Sequence, residues 1–334
     1  MNKHKSKAST AFSLIELSIV ILIVGIIIAG ITQSSRLVRQ SKLKSAQNLT
    51  ASSPVTGIRG LSLWLEPTED ASFPTSELDD ESPLLQWNDL NSQTASKFFA
   101  IPASGVTTTG TAAIKYDSDG INGLPSIKFD GTNTTAGILS LSTSAKLLVP
   151  SPVVSTADPN NVNAFTAFMV YKLDDTATGA DYTVLYNGVA ATNGWGYFRD
   201  NAVTNKRTIQ VGATKALATA ALPTTQEIAT ITYSGYNAPN LSGTKTTYLY
   251  INGGNSFATI ADNTIVGNNG QTTGASATTV VAPTASLLIG GTTSATKAWK
   301  GLISEVIIFD TVLKNQDLRD VASYLSKKYN IPLS

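Results

Sequence analysis

Residues 12–31 form an apolar run, FSLIELSIVILIVGIIIAGI, interrupted only by Glu16, two serines and two glycines. About 20 such residues at 1.5 Å per residue match the roughly 30 Å hydrocarbon thickness of a bilayer, so the run predicts a membrane-embedded helix. Beyond it, residues 32–49 contain no proline and, after Thr32, a single β-branched residue, Val38. This stretch predicts the same helix continuing with polar faces, on the order of 55 Å in all from Phe12 to Leu49. Ser52-Ser53-Pro54 ends it.

From residue 57 the period changes. Short β-branched or aromatic runs alternate with Gly, Asn and Thr turns, giving expected strands at 61–65, 126–129, 165–173, 183–186, 196–198, 208–211, 228–233, 246–251, 286–289 and 302–309. Leu61, Leu63 and Leu65 alternate with Ser62, Trp64 and Glu66, which gives the first strand one strongly apolar face. Tyr248-Leu249-Tyr250-Ile251 runs into a tight turn at Asn252-Gly253. Val306-Ile307-Ile308-Phe309 is apolar on both faces and predicts a central strand. Many short strands without intervening helical periods predict an antiparallel β-sandwich. The Thr/Ser/Ala/Gly-rich segments 105–113 and 267–285 read as loops. A last helix is expected after Asn315 as its cap, with Leu318, Val321, Ala322, Leu325 and Tyr329 on one face and Pro332 beyond its end. The fold class is therefore α+β: a long amino-terminal helix, a sandwich and a carboxyl-terminal helix.

Composition narrows the chemistry. The 334-residue chain carries a formal charge of +1 and only 14% charged residues, with no basic stripe interleaved with aromatics, which argues against nucleic acid as partner. It has no cysteine, excluding disulfides and thiolate metal sites. The single histidine, His4, lies in the basic leader, so Ser-His-Asp catalysis and histidine-bound zinc are excluded from the rest.

Glu16 decides how the first 40 residues are read. A carboxylate inside an apolar span costs roughly 2.5–3.5 kcal/mol on insertion scales and requires a partner. Cleavage between Ala11 and Phe12 would place a new α-amino group at Phe12, one helical turn from Glu16. In a bundle, Glu16 could instead neutralise a neighbour's amino terminus. The run Ala11-Phe12-Ser13-Leu14-Ile15-Glu16-Leu17 resembles the type IV prepilin cleavage and methylation motif, with Ala11 in place of the usual glycine. The resemblance implies a leader at 1–11, an assembly helix at 12–50 and an exported head at 57–334. It also implies cleavage by a prepilin peptidase, N-methylation of Phe12, and assembly with other pilin or pseudopilin subunits through the helix. The precursor is expected in the inner membrane and the assembled subunit in a periplasmic or cell-surface filament.

The head carries a second resemblance. Gly60-Leu61-Ser62-Leu63-Trp64-Leu65, Gln86-Trp87-Asn88-Asp89-Leu90, the run 122–131 (NGLPSIKFDG) and the run 301–310 (GLISEVIIFD), followed by the terminal helix, occur in the order found in concanavalin A-like lectin/glucanase jelly rolls of the laminin G type. That resemblance implies two curved antiparallel sheets with ligands on the concave face or rim loops. Candidate glycan contacts are Trp195, Tyr197, Asp200 and Asn193, with Trp87 and Asn88 beside them in type. Trp195 leads because Gly194 and Gly196 would leave its ring open for stacking. Calcium is frequent in the family, and Asp117 and Asp119 in DSDG are the candidate ligands, although no closing Glu follows. The Glu-x-Asp-x-Glu run of the family's glycosidases is missing, so no enzymatic activity is expected. Asp130 and Asp310 are expected to bond turn amides.

The expected function is a pilin-like filament subunit, minor or at the tip, whose head binds a glycan or surface. A pseudopilin of a type II-like secretion system and a membrane-tethered glycan-active domain are the alternatives.

Overall fold

A computed structural model describes residues 13–74, 79–95, 97–104, 113–132, 134–142, 165–174, 182–189, 194–200, 206–211, 214–221, 224–234, 246–253, 285–292 and 298–334. The expected leader, Ala11 and Phe12 lie outside these, as do Asn193 and nearly all of the two expected loops.

Helix α1 (Leu14–Ala51) is unbroken, about 57 Å long at 1.5 Å per residue. Ser13 caps it in extended conformation, and its N–H donates to Glu16 Oε2 at 2.9 Å. The first helix-ending feature is Ser52, whose hydroxyl donates to the Asn48 carbonyl at 2.8 Å. In the apolar half, Leu14, Ile15, Ile21, Ile26 and Ile31 are all exposed, Ile15 by 69% and Ile26 by 64%. It is long and apolar enough to cross a membrane.

The strands in chain order are β1 (Leu61–Leu65), β2 (Trp87–Asn88), β3 (Phe99–Pro102), β4 (Ile114–Asp117), β5 (Ser126–Asp130), β6 (Leu139–Leu141), β7 (Phe165–Leu173) and β8 (Tyr182–Asn187). They continue with β9 (Trp195–Asp200), β10 (Lys206–Val211), β11 (Thr214–Ala221), β12 (Glu227–Ser234), β13 (Thr246–Ile251), β14 (Leu287–Ile289) and β15 (Lys300–Phe309), before helix α2 (Asn315–Tyr329). The first sheet runs β13-β12-β7-β15-β5-β4, with β1 also paired to β15, and the second runs β11-β10-β9-β8-β14-β6-β3-β2. All pairings among these strands are antiparallel.

Period-two alternation gives the first sheet two buried faces. One face, with Leu63, Ile127, Met169, Ile231 and Ile308, packs on Trp87, Leu139, Leu185, Tyr197 and Ile289 of the second sheet. The opposite face, with Trp64, Phe168, Val170, Ile228 and Ile307, is covered by Ala46 of α1 and by Leu318, Val321, Leu325 and Tyr329 of α2. The layers are therefore sheet, sheet, helices. This is why β15 is apolar on both sides and sits centrally, between β7 on one side and β1 and β5 on the other.

A register shift between Ile303 and Glu305 puts a bulge in β15. Two successive residues, Ser304 and Glu305, then face the helices, while Ile303 and Val306 face the other sheet. The bulge thus moves a carboxylate from the sandwich interior to the helix side. The cap of α2 is Lys314, one residue before the expected Asn315. The helix stops at Asn330 with φ 51°, the left-handed conformation that asparagine tolerates. Asn122 Nδ2 donates to the Tyr329 carbonyl there.

Candidate functional site

The densest polar cluster among the described residues lies where α1, α2 and the first sheet meet. Lys328 projects from the covered face of α2, and its Nζ lies between the carboxylates of Glu66, just past β1, and Glu305, on the bulge of β15. It pairs with Glu66 Oε1 and, at 3.0 Å, with Glu305 Oε2, and all three side chains are fully shielded from water. Nζ also donates to Thr50 Oγ1 of α1 at 2.8 Å and to the Tyr324 hydroxyl at 3.1 Å.

Each carboxylate is held by further donors. Glu305 Oε1 accepts Trp64 Nε1 at 2.8 Å and the Tyr324 hydroxyl at 2.9 Å, and its Oε2 accepts the Tyr329 hydroxyl at 3.0 Å. Glu66 Oε1 accepts the Thr68 N–H at 2.8 Å and the Thr68 hydroxyl, and its Oε2 accepts the Glu69 N–H at 3.0 Å. Buried charges persist only when paired and hydrogen-bonded in this way. Burial raises the pKa of Glu305, with Lys328 opposing and Glu66 adding to the rise. Burial likewise holds the Tyr324 and Tyr329 hydroxyls well above their ordinary value.

The cluster fixes α1 to the head. Gln47 adds a bond to the Thr68 carbonyl at 3.0 Å, and lower on the helix Arg39 pairs with Asp119 at 3.0 Å while Lys42 Nζ donates to the Asn122 carbonyl at 3.4 Å. The sequence setting of Glu305, between apolar residues, predicts half-burial against a Lys or Tyr; the structure buries it fully and supplies both, in Lys328, Tyr324 and Tyr329. The available signal was an opposite charge on each of two apolar surfaces: Glu305 within ISEVIIF, and Lys328 three residues after Leu325 on the stripe of α2.

A second buried cluster ties the two sheets together. Arg207 of β10 forks onto Glu227 of β12, through Nη2 to Oε1 and Nε to Oε2 at 3.2 Å. Tyr171 of β7 donates to Glu227 Oε2 at 3.0 Å and shares a 2.7 Å bond with the Tyr197 hydroxyl of β9. Burial raises Glu227, against the pull of Arg207.

The structure corrects the expected glycan platform. Trp195 is 1% exposed and Tyr197 fully buried, with Trp195 stacked on Phe165 at 4.1 Å between ring centroids. The neighbouring glycines serve the fold rather than a ligand. A Cβ on Gly196 would come within 2.1 Å of the Tyr186 ring, and Gly194, at φ +72°, lies against the Asn187 carbonyl. Asp200 ends β9, and Asn193 lies outside the described residues. Trp87 is also buried, its Nε1 donating to the Glu66 carbonyl at 3.3 Å, and Asn88 Nδ2 binds the Ala71 carbonyl at 2.9 Å.

The calcium reading of DSDG is corrected in part. Asp119 is engaged by Arg39, and Asp117 Oδ1 accepts the Asp119 N–H at 2.9 Å. Asp80 turns to Ser118, accepting its N–H at 2.9 Å and its hydroxyl at 2.8 Å. No three metal-binding side chains converge among the described residues. Asp130 accepts the Thr132 N–H at 2.8 Å, as a turn carboxylate should. Asp89 of the QWNDL run accepts the N–H groups of Trp64 and Asn91, both at 2.9 Å, which explains that motif as a loop brace.

No protein-family profile and no curated protein matches the chain. Several solved structures resemble it at low identity. Domain 4 of AbnA, a GH43 extracellular arabinanase from Geobacillus stearothermophilus, is 16% identical, with 79% of this chain and 98% of that domain covered at a TM-score of 0.45. Trypanosoma rangeli sialidase is 15% identical, with 88% of this chain and 39% of the sialidase covered at 0.46. The receptor-binding domain of botulinum neurotoxin D is 12% identical, with 79% and 52% covered at 0.45. The chain thus spans well under half of the sialidase and about half of the toxin domain it matches.

Proposed function

We propose that the chain is a type IV pilin-like filament subunit, minor or at the tip, whose jelly-roll head is displayed for binding a glycan or surface. One observation carries this reading: a single unbroken helix has its amino-terminal half apolar and uncovered and its carboxyl-terminal half bound into the head. Covering that apolar half takes lipid before assembly and neighbouring helices after it. Glu16, which accepts the Ser13 N–H at 2.9 Å within its own chain, is the group such assembly would use. The head sits far along α1, leaving the apolar half free to pack. With Trp195 and Tyr197 in the core, the ligand surface is assigned elsewhere on the head, and its role is binding rather than hydrolysis.

Sequencing the mature amino terminus tests the processing. The expected product begins at N-methylated Phe12, and Glu16→Ala abolishes filament incorporation while leaving membrane insertion intact. A mature chain beginning elsewhere would sink the filament reading. Immunogold labelling of the head separates tips from shafts, and a glycan array with and without calcium tests the ligand class.

A further inference from the structure

The cluster around Lys328 has one carboxylate more than an ion pair requires. We propose that Lys328 Nζ condenses with the Glu66 carboxyl group to form an intramolecular isopeptide bond, with Glu305 as the proton-transfer group.

Three features of the site support the reaction. The first is proximity in a dry place. Nζ touches Glu66 Oε1, and both side chains are fully buried, so the reacting groups are held together without water between them. Such fixed placement is worth effective concentrations on the order of 10⁵–10⁸ M in favourable cases. The second is polarisation of the acceptor. The Thr68 N–H and hydroxyl address one oxygen of Glu66 and the Glu69 N–H the other, so donors already meet the charge that grows there as the carbon becomes tetrahedral. The third is the second carboxylate. Glu305 Oε2 lies 3.0 Å from Nζ, its carboxylate fixed by Trp64 and Tyr324 at Oε1 and by Tyr329 at Oε2, within reach to take a proton from the amine and return it. Its burial-raised pKa suits a group that must hold a proton in passing.

The atoms balance without a co-reactant. The ammonium of Lys328 gives a proton to Glu305, and the freed lone pair attacks Glu66 Cδ. The Nζ–Cδ bond forms and one Cδ–O bond breaks. That oxygen leaves as water with two protons from Nζ, relayed by Glu305, which ends in its starting state. In bulk water the ions are favoured by their hydration. Here that hydration is already lost, and the amide removes the buried Lys328 and Glu66 charges, leaving the Glu305 carboxylate held by its donors Trp64, Tyr324 and Tyr329. The bond would join positions 262 residues apart, from the start of the head to its last helix, beside Thr50 of α1.

The test uses the full chain purified in detergent and then denatured. Its intact mass is expected to fall one water below that of its processed sequence. Proteolysis should release a branched peptide joining the segments around Glu66 and Lys328. Lys328→Arg should restore the full mass, and Glu305→Gln should leave linear peptides in a chain with native circular dichroism. Full mass in the natural chain, with linear peptides and a Lys328 amine that labels after denaturation, would overturn the bond and leave an ion pair only. This result needs no variant to fold. Branched peptide at undiminished yield in Glu305→Gln would overturn the role given to Glu305. Neither outcome depends on whether the chain forms filaments.

Discussion

Trp64 Nε1 donates to Glu305 Oε1 at 2.8 Å, so the first strand of the head and the last share a buried acceptor on the face that carries the helices. This places an indole beside a carboxylate that also receives Lys328, Tyr324 and Tyr329. The arrangement depends on the bulge in β15, since a regular strand would aim residue 305 into the other sheet.

Removing Lys328 from this cluster should be costly. Lys328→Met leaves the carboxylates of Glu66 and Glu305 buried with neither an ion pair nor an amide at Lys328 to offset them, and is expected to destabilise the head by about 3–5 kcal/mol. Denaturant unfolding of the chain in detergent checks the value. Adding Glu305→Gln to Lys328→Met should cost less than the sum of the two changes, because the neutral side chain no longer needs the lost partner.

Trp195 should behave as a core residue. Trp195→Ala is expected to cost about 3–5 kcal/mol, read from denaturant midpoints. Gly196→Ala should cost about 1–3 kcal/mol, because the new methyl must displace the Tyr186 ring. If Trp195 instead stacked on a ligand, Trp195→Phe would weaken binding while leaving the midpoint in place.

The Arg39–Asp119 pair, half exposed on both sides, should contribute little to stability. Arg39→Ala is expected to cost no more than about 1 kcal/mol and the loss should shrink in high salt. A midpoint series from low to molar salt, natural chain against variant, measures both.

Asp80 sets a pH dependence of known sign. Bonds from the Ser118 N–H and hydroxyl hold its pKa below the ordinary 3.8. Its stabilising contribution is therefore complete above the unfolded value and lost as the pH falls through the lower folded one. Asp80→Asn should flatten that acid limb of the stability curve. Glu305, with its pKa raised, works in the opposite direction: its relative contribution is present below the unfolded value and fades as the pH rises. Unfolding measured at a series of acidic pH values, natural chain against Asp80→Asn, isolates the Asp80 term.

The sequence conveyed the architecture better than the chemistry. The 61–65, 165–173 and 246–251 strands stand where alternation placed them, because each has a clear apolar face. Two- to four-residue strands such as β2 and β6 are too short to show a period, and the Ala/Thr pattern of β11 carries little apolar contrast. Glycines flanking Trp195 were read as open space, but a glycine in a strand equally marks where a neighbouring ring or carbonyl lies close. Lys328 was hidden because pairing across 262 residues leaves no local trace beyond one charge on an apolar stripe.

The central place of β15 has a consequence for the order in which the head can be made. Without it, the first sheet consists of β13-β12-β7, a separate β4-β5 hairpin, and β1 with no other named strand paired to it among the described residues. Strands emerging in chain order must wait with open edges until residues 300–309 arrive, and unpaired edges are where chains associate wrongly. A head arrested partway through synthesis would therefore need an escort, and the step that closes it is the insertion of its last strand into the middle of the sheet.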